Sequence, residues 1–295
     1  MPLKTILVAL ALDDDSENVV SRAIQLAAQH GATIIGVHVI EESAFQDSEL
    51  PPAINVKALA RSVEEESRER LESLFASQDA NVILHIESGK PYKIIENVAA
   101  LHDVDVIVIG PGTARGLREK LFGSTADYVV RYAPCPVLVV RQNARTPYRH
   151  ITVGIDFSDH SRAAALWASR LSPTAARELL YAFDIPLQFE QAMLKAGTSQ
   201  VEIDDYRNVR IAAARKKLME IYGENGRLSR RTRIHIVRGD AAMALIKTSH
   251  NRATDLVALG TQGVNPIVRH LLGSVAREVL NSAGCDVLVV SANVI

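Results

Sequence analysis

The sequence predicts two tandem α/β domains, each an open, doubly wound parallel sheet. Three observations predict this. First, the chain repeats itself. Gly89, Asp105, Gly110, Gly123, Ser124, Cys135 and residues 137–140 recur as Gly239, Asp255, Gly260, Gly273, Ser274, Cys285 and residues 287–290, all 150 positions on. A constant offset over about fifty residues is the signature of an internal duplication. Second, the apolar runs are continuous rather than alternating, as in strands buried on both faces. Third, each run is followed by a helical pattern, the order of parallel βα units. The boundary falls in the polar stretch "RQNARTPYRH", residues 141–150, which gives domains of 1–143 and 148–295.

The second half shows the elements most clearly. "HITVGI" is a β-branched strand. "DFSDHSRAAALWASRL" opens with the capping residues Asp156 and Ser158, then shows helical spacing at Ala165, Leu166 and Ser169. "ELLYAF" is a second strand and "DDYRNVRIAAARKKLMEIYGENG" a helix ending in glycines. "TRIHIVRG", "DAAMALIKTSHNRA" and "DLVALG" continue the alternation. "NPIVRHLLGSVAREVLNSAG" holds the next helix and "CDVLVV" closes the half. The first half gives the same order. Its N-terminal part matches more loosely: "KTILVALALDDDSENV" against "RHITVGIDFSDHSRA" reads as about three extra residues between strand and helix in the first copy.

Bulk composition narrows the function. The 295 residues carry 33 basic and 34 acidic side chains, so no electrostatic footprint for nucleic acid or an anionic membrane is expected. No apolar run reaches the ~20 residues of a membrane span. "MPLKTILVALALDDDSEN" reads as a first strand rather than a secretory signal. Cys135 and Cys285 alone make no disulfide framework and are expected to be buried thiols. A cytoplasmic setting follows as the expectation.

The segment "GTQGVNPIVRHLLGS", Gly260 to Ser274, follows the strand "DLVAL". In doubly wound sheets ligands sit beyond the C-terminal strand ends. Gly260 and Gly263 let the backbone come close to a ligand. The helix starting at Ser274 offers free N–H groups and a positive dipole end, where anions bind. Turn chemistry explains the same residues equally well, since glycine ends strands and serine begins helices. Arg269 and His270 could add positive charge, or be solvated helix residues.

The pattern Gly260-x2-Gly263-x9-Gly273-Ser274 resembles the nucleotide-binding signature of the universal stress proteins. "ITVGIDFSDHS", "GVHVIEES", "DVDVIVIG" and "APCPVLVVR" resemble that family too, so the likeness covers the whole chain as two family domains. It is most similar to the tandem, E-type members. The resemblance implies a Rossmann-like fold of the adenine nucleotide alpha hydrolase kind. It implies ATP or another adenine nucleotide as ligand, with or without Mg. It implies that Asp156 contacts the adenosine, that Phe183 presents backbone groups to adenine, and that Gly260, Gly263, Gly273, Ser274 and Val275 surround ribose and phosphates. It also implies pairing of the last strands, "CPVLVV" with "CDVLVV", within one chain. A homodimer of the whole chain is left open.

The two halves differ at these positions. Thr113 stands where the second half has Gly263, beside Pro111 and Gly112. Gly110, Gly123 and Ser124 stay in register, and Val39 fits the adenine-contact position. The carboxylate position is ambiguous among Asp13, Asp14 and Asp15. The second half is therefore expected to be the better nucleotide site. The chain has no P-loop, kinase or hydrolase motif. A regulatory nucleotide-binding role is favoured; slow ATP hydrolysis or autophosphorylation, and a module binding an apolar ligand or a partner instead, are the alternatives.

Three further features have ordinary explanations. His85 and His235 share a repeat position; they could meet between the halves, bind metal, or be satisfied strand histidines. Two histidines do not complete a zinc site. The apolar connection Ile185–Ile203 could cover the second site, line an apolar pocket or pack on the other half. "ARSVEEESRERLESLF", Ala60–Phe75, reads as a solvated helix with i,i+4 ion pairs.

Overall fold

The structure is a computed structural model, and it describes residues 1–41, 55–76, 81–112, 122–143, 146–224, 228–251, 253–263 and 271–291. The first half contributes β1 (Thr5–Leu10), α1 (Ser16–His30), β2 (Thr33–Ile40), α2 (Val56–Phe75), β3 (Val82–Ser88), α3 (Pro91–Leu101), β4 (Val106–Ile109), α4 (Ser124–Tyr132) and β5 (Val137–Val139). The second contributes β6 (His150–Gly154), α5 (Asp159–Leu171), β7 (Ala176–Phe183), α6 (Leu187–Lys195), α7 (Gln200–Tyr222), β8 (Thr232–Arg238), α8 (Ala241–Ser249), β9 (Leu256–Gly260), α9 (Ser274–Ser282) and β10 (Asp286–Val290). Among the described residues ten strands form one sheet in the order β3-β2-β1-β4-β5-β10-β9-β6-β7-β8. Every pairing is parallel except the central one, where β5 and β10 run antiparallel with Leu138 opposite Leu288. The last strands thus pair within the chain, and the C-terminal strand ends of the two halves point in opposite directions.

The central strands are buried on both faces because helices cover both. One face packs Val8, Leu138, Val153 and Leu288 against α1 and α5; the other packs Leu7, Ile107, Val257 and Val287 against α3, α4, α8 and α9. Small residues let α5 approach closely: Ala163, Ala164 and Ala168 are all fully buried, whereas Leu166 projects into solvent.

Equivalent caps fix the register of both halves. Asp105 Oδ2 accepts the N–H groups of Lys4 and Thr5 at 2.6 and 3.2 Å, and Asp255 Oδ2 accepts those of Arg149 and His150 at 2.7 and 2.9 Å. Thr5 is therefore the counterpart of His150. Counting on, Leu12 matches Phe157, and these two residues share a left-handed backbone at φ 57° and 68°. The expected insertion between strand and helix is thus absent. The extra residues, two of them, lie between the helix start and the second strand, Ser16 to Thr33 against Ser161 to Ala176.

Asp286 joins the halves more firmly than the sheet alone. It is completely buried at the start of β10. Its Oδ2 accepts Arg22 Nε at 3.2 Å and Tyr148 Oη at 2.6 Å, and its Oδ1 accepts the Arg141 and Gln142 amides at 2.8 and 3.1 Å. Arg22 lies on α1 of the first half and stacks 3.9 Å from the Tyr148 ring centroid. Four donors saturate a carboxylate whose burial would otherwise be costly. A second ion pair, Arg170 to Asp105 at 2.6 Å, also crosses between halves.

Among the described residues no helix is long and apolar enough to cross a membrane. On α2, Arg68 and Glu64 form the expected i,i+4 pair at 3.4 Å.

Candidate functional site

The site is built at the C-terminal ends of β6 and β9. After β6 the chain turns through Ile155, Asp156 and Phe157 into α5. The Asp156 carboxylate organises this turn: its Oδ1 accepts the Ser158 N–H at 3.0 Å and the Ser158 hydroxyl at 2.5 Å. Ser158 in turn caps α5, its Oγ accepting the Ser161 amide at 3.1 Å. The second carboxylate oxygen, Oδ2, faces the end of β9.

The glycines at that end answer to two different neighbours. A Cβ on Gly260 would lie 2.5 Å from His160 Cβ and 2.8 Å from His160 C, so this glycine lets the first turn of α5 approach β9. A Cβ on Gly263 would lie 2.9 Å from Asp156 Oδ2. At Gly263 it is the carboxylate that a side chain would crowd, and the φ of this glycine is not in the left-handed region. Gly273 closes the turn by donating its N–H to Thr261 O at 2.8 Å and stands at the N-cap of α9. Ser274 is the first helical residue, exposed, and the first turn of α9 carries no acid. His160 donates or accepts at Thr261 Oγ1, 3.0 Å away, and burial lowers its pKa below the ordinary 6.5.

Asp156, Gly260, Gly263, Gly273, Ser274 and Val275 all line one cavity of about 200 Å³. One wall is Leu180, Ala182, Ala241 and Leu245, which is apolar; the other is the backbone of Thr261, Gln262 and the start of α9. The Asp156 carboxyl group and the N-terminus of α9 both border the cavity, so it offers an acceptor to a donor-bearing group and free N–H groups to an anion.

Phe183 does not line this cavity; Ala182 does. Successive strand residues face opposite sides, and Phe183 lies on the α7 side, its ring 5.7 Å from the Arg210 guanidinium. Its carbonyl accepts the Gly239 amide at 3.3 Å, just as Ile40 O accepts the Gly89 amide at 2.9 Å. Phe183 is therefore the counterpart of Ile40, and Ala182 that of Val39. The sequence carried this signal: "GVHVI" laid on "LLYAF" already sets Val39 against Ala182.

In the first half the counterpart of Asp156 is Ala11, not Asp13, Asp14 or Asp15. Asp13 sits two residues later, where Ser158 does, and accepts the Ser16 hydroxyl at 3.1 Å. Gly110 has more room than Gly260, its nearest neighbour being Val19 Cγ2 at 3.5 Å from a Cβ position. Gly112 adopts φ 70° and packs on Gly123, where a Cβ would lie 3.1 Å from Gly123 Cα. The helix after Ser124 carries Asp127 in its first turn, paired with Arg131 at 2.6 Å, where α9 has Arg277. An anion at this helix start meets a carboxylate that the second half lacks. Thr113, Arg269 and His270 lie outside the described residues.

The other singled-out features fall elsewhere. His85 on β3 and His235 on β8 sit on opposite outer strands of the sheet and do not meet. His235 Nδ1 is 3.0 Å from Glu178. Cys135 and Cys285 are buried, and burial pushes both thiols up to about 12. Residues 185–203 contain α6, which presents Leu187, Phe189 and Leu194 to solvent and lines no part of the cavity. Glu190 ties α6 to Arg207 of α7 at 2.7 Å.

A doubly wound parallel sheet, written twice, with a glycine-lined cavity beyond the C-terminal strand ends of its second copy is the architecture the chain presents. The profile of the universal stress protein family matches residues 2–141 and again 147–291. The chain belongs to that family. Universal stress protein A homolog 1 of Coxiella burnetii is 35% identical over 142 residues, 48% of this chain and 97% of that protein. A universal stress protein of Methanocaldococcus jannaschii is 30% identical over 142 residues, 47% of this chain and 82% of that protein. Among solved structures, a universal stress protein from Archaeoglobus fulgidus matches 98% of this chain and 98% of its own with a TM-score of 0.63 at 18% identity, a likeness of fold.

Proposed function

We propose that this chain is a stress-response protein that binds ATP or a related adenine nucleotide in its second half. Its role is regulatory and its setting cytoplasmic. The observation that carries the reading is the gathering of Asp156, Gly260, Gly263, Gly273, Ser274 and Val275 around a single cavity. Asp156 accepts from a ribose hydroxyl or the adenine amine, Ala182 and Leu180 form the apolar wall for the base, and the start of α9 takes phosphate oxygens. Mg, where present, would accompany the phosphates. The first half, with Ala11 for the carboxylate and Asp127 at its helix start, binds the same ligand poorly or not at all. Because each last strand is already paired with the other, any homodimer of whole chains uses a different surface.

Titration calorimetry with ATP tests this. One equivalent binds per chain, and Asp156→Ala weakens it. Two equivalents of similar affinity, or binding indifferent to Asp156→Ala, would overturn the assignment to the second half. Loss of ATP in the binding buffer at measurable rate, abolished by Asp156→Ala, would move the reading to a hydrolase.

A further inference from the structure

We infer that the outer face of α7 is a self-association surface whose partner is a second copy of this chain. Helix α7 spans 23 residues and buries only Ile203, Ala214 and Leu218. Its opposite face is open to solvent and regular. Val201, Asp205, Asn208, Ala212, Arg215 and Met219 follow one another at spacings of four, three, four, three and four, and all six are exposed. That is the heptad spacing of a helix-pairing seam. Val201 is 70% exposed and Met219 36%, so apolar surface stands at both ends of it.

The seam is complementary to itself when two copies run antiparallel. A twofold axis at the level of residue 210 sets Val201 against Met219 of the second copy, Asp205 against its Arg215, and Asn208 against its Ala212. An isologous contact repeats every such pair. The outer layers are then apolar and the next ones oppositely charged. Val209, 66% exposed, flanks the seam close to the axis, where it meets its own copy. A parallel arrangement would instead oppose Asp205 to Asp205 and Arg215 to Arg215, so charge fixes the direction. Among the described residues Asp205 and Arg215 have no ion-pair partner, whereas their neighbours do: Asp204 pairs with Arg207 at 2.8 Å and Lys216 with Glu220 at 3.9 Å.

The first half supplies the contrast. Helix α2 fills the same place there, between β2 and β3. It buries Ser67, Leu71 and Phe75, and the exposed side opposite them carries Glu65, Glu69 and Glu72. Three acids on one stripe repel their own copy. The two last strands are already paired within the chain, so the family of contacts left for a second chain lies on such outer helices. Only the second half offers one that matches itself.

The seam is about 27 Å long, which makes a small interface and an association of the weak class. Sedimentation velocity of the full-length protein, from roughly 1 to 200 µM, shows the wild type passing from monomer to dimer. Asp205→Arg and Arg215→Asp each put like charges opposite one another and weaken the dimer more than about tenfold. Both sites are exposed, so far-UV circular dichroism of the two variants matches the wild type. An equimolar mixture of the two variants associates again, because one seam is now basic and the other acidic. The double variant Asp205→Arg/Arg215→Asp likewise dimerises as the wild type does. A wild type that stays monomeric throughout that range, single variants that dimerise unchanged, or a mixture no more associated than its components would each overturn the proposal.

Discussion

Gly263→Thr places in the second half the residue that the first half carries at the matching position. A threonine Cβ would stand 2.9 Å from Asp156 Oδ2, inside ordinary contact distance, so the carboxylate must move. Its other oxygen is held by two Ser158 donors at 3.0 and 2.5 Å, which resists rotation in place. Moving the group away from the cavity removes a charge-assisted hydrogen bond to the ligand, worth about 1.5–3 kcal/mol. ATP affinity should therefore fall roughly 10- to 150-fold. Asp156→Ala removes the same bond and should cost about the same. The informative measurement is the cycle of the two changes by titration calorimetry. If threonine acts only by displacing the carboxylate, it costs little in the Asp156→Ala background, and the coupling is about 1.5–3 kcal/mol. That double variant restores the Ala11–Thr113 pair of the first half. Additive losses, with threonine equally harmful in both backgrounds, would refute the idea that Gly263 serves Asp156. So would a Gly263→Thr variant that binds as the wild type does.

Gly260→Ala should destabilise by at least the ~1–3 kcal/mol of an overpacked core, because its Cβ meets the backbone of His160; urea unfolding with an unchanged midpoint would contradict this. Asp286→Ala leaves the Arg22 guanidinium buried without its partner and should cost about 3–5 kcal/mol by the same assay; a loss under 1 kcal/mol would show that the cluster is not holding the halves together. Burial depresses the pKa of His38 and His160 below 6.5 in the folded protein. The unfolded chain then binds more protons than the folded one, so their contribution is full above pH 6.5 and is lost as pH falls through the depressed values. The drop in urea midpoint between neutral and mildly acidic pH should shrink in His160→Gln; an identical drop would rule His160 out as its source.

Much of the fold was legible because the duplication fixes element order and the buried strands are continuous apolar runs. The antiparallel seam of β5 and β10 followed from the family likeness rather than from any pattern in "CPVLVV" or "CDVLVV". The lining of the candidate cavity was legible wherever it consists of glycines at fixed spacing. It was less so where it depends on strand parity: Phe183 and Ala182 differ by one residue and face opposite sides of the sheet. Ala11 was obscured because the copies differ in length nearby, and the Asp105 and Asp255 caps that fix the register are tertiary contacts. The Asp286 cluster had no local signal at all, since Arg22 and Tyr148 lie 264 and 138 positions away in the chain. Helix α6 was read as connection because its nine residues bury no face of their own.

The antiparallel seam also has a consequence for synthesis. β5 is complete by Val139, but its partner β10 begins at Asp286, close to 150 residues later. At about 5–20 residues per second, the ribosome takes roughly 8–30 s to deliver the partner. Throughout that interval a folded first half presents Val137, Leu138 and Val139 as an open sheet edge, the kind that recruits foreign strands. A nascent chain of this protein is therefore most vulnerable to mispairing in the second half of its translation, and its last strand ends that exposure.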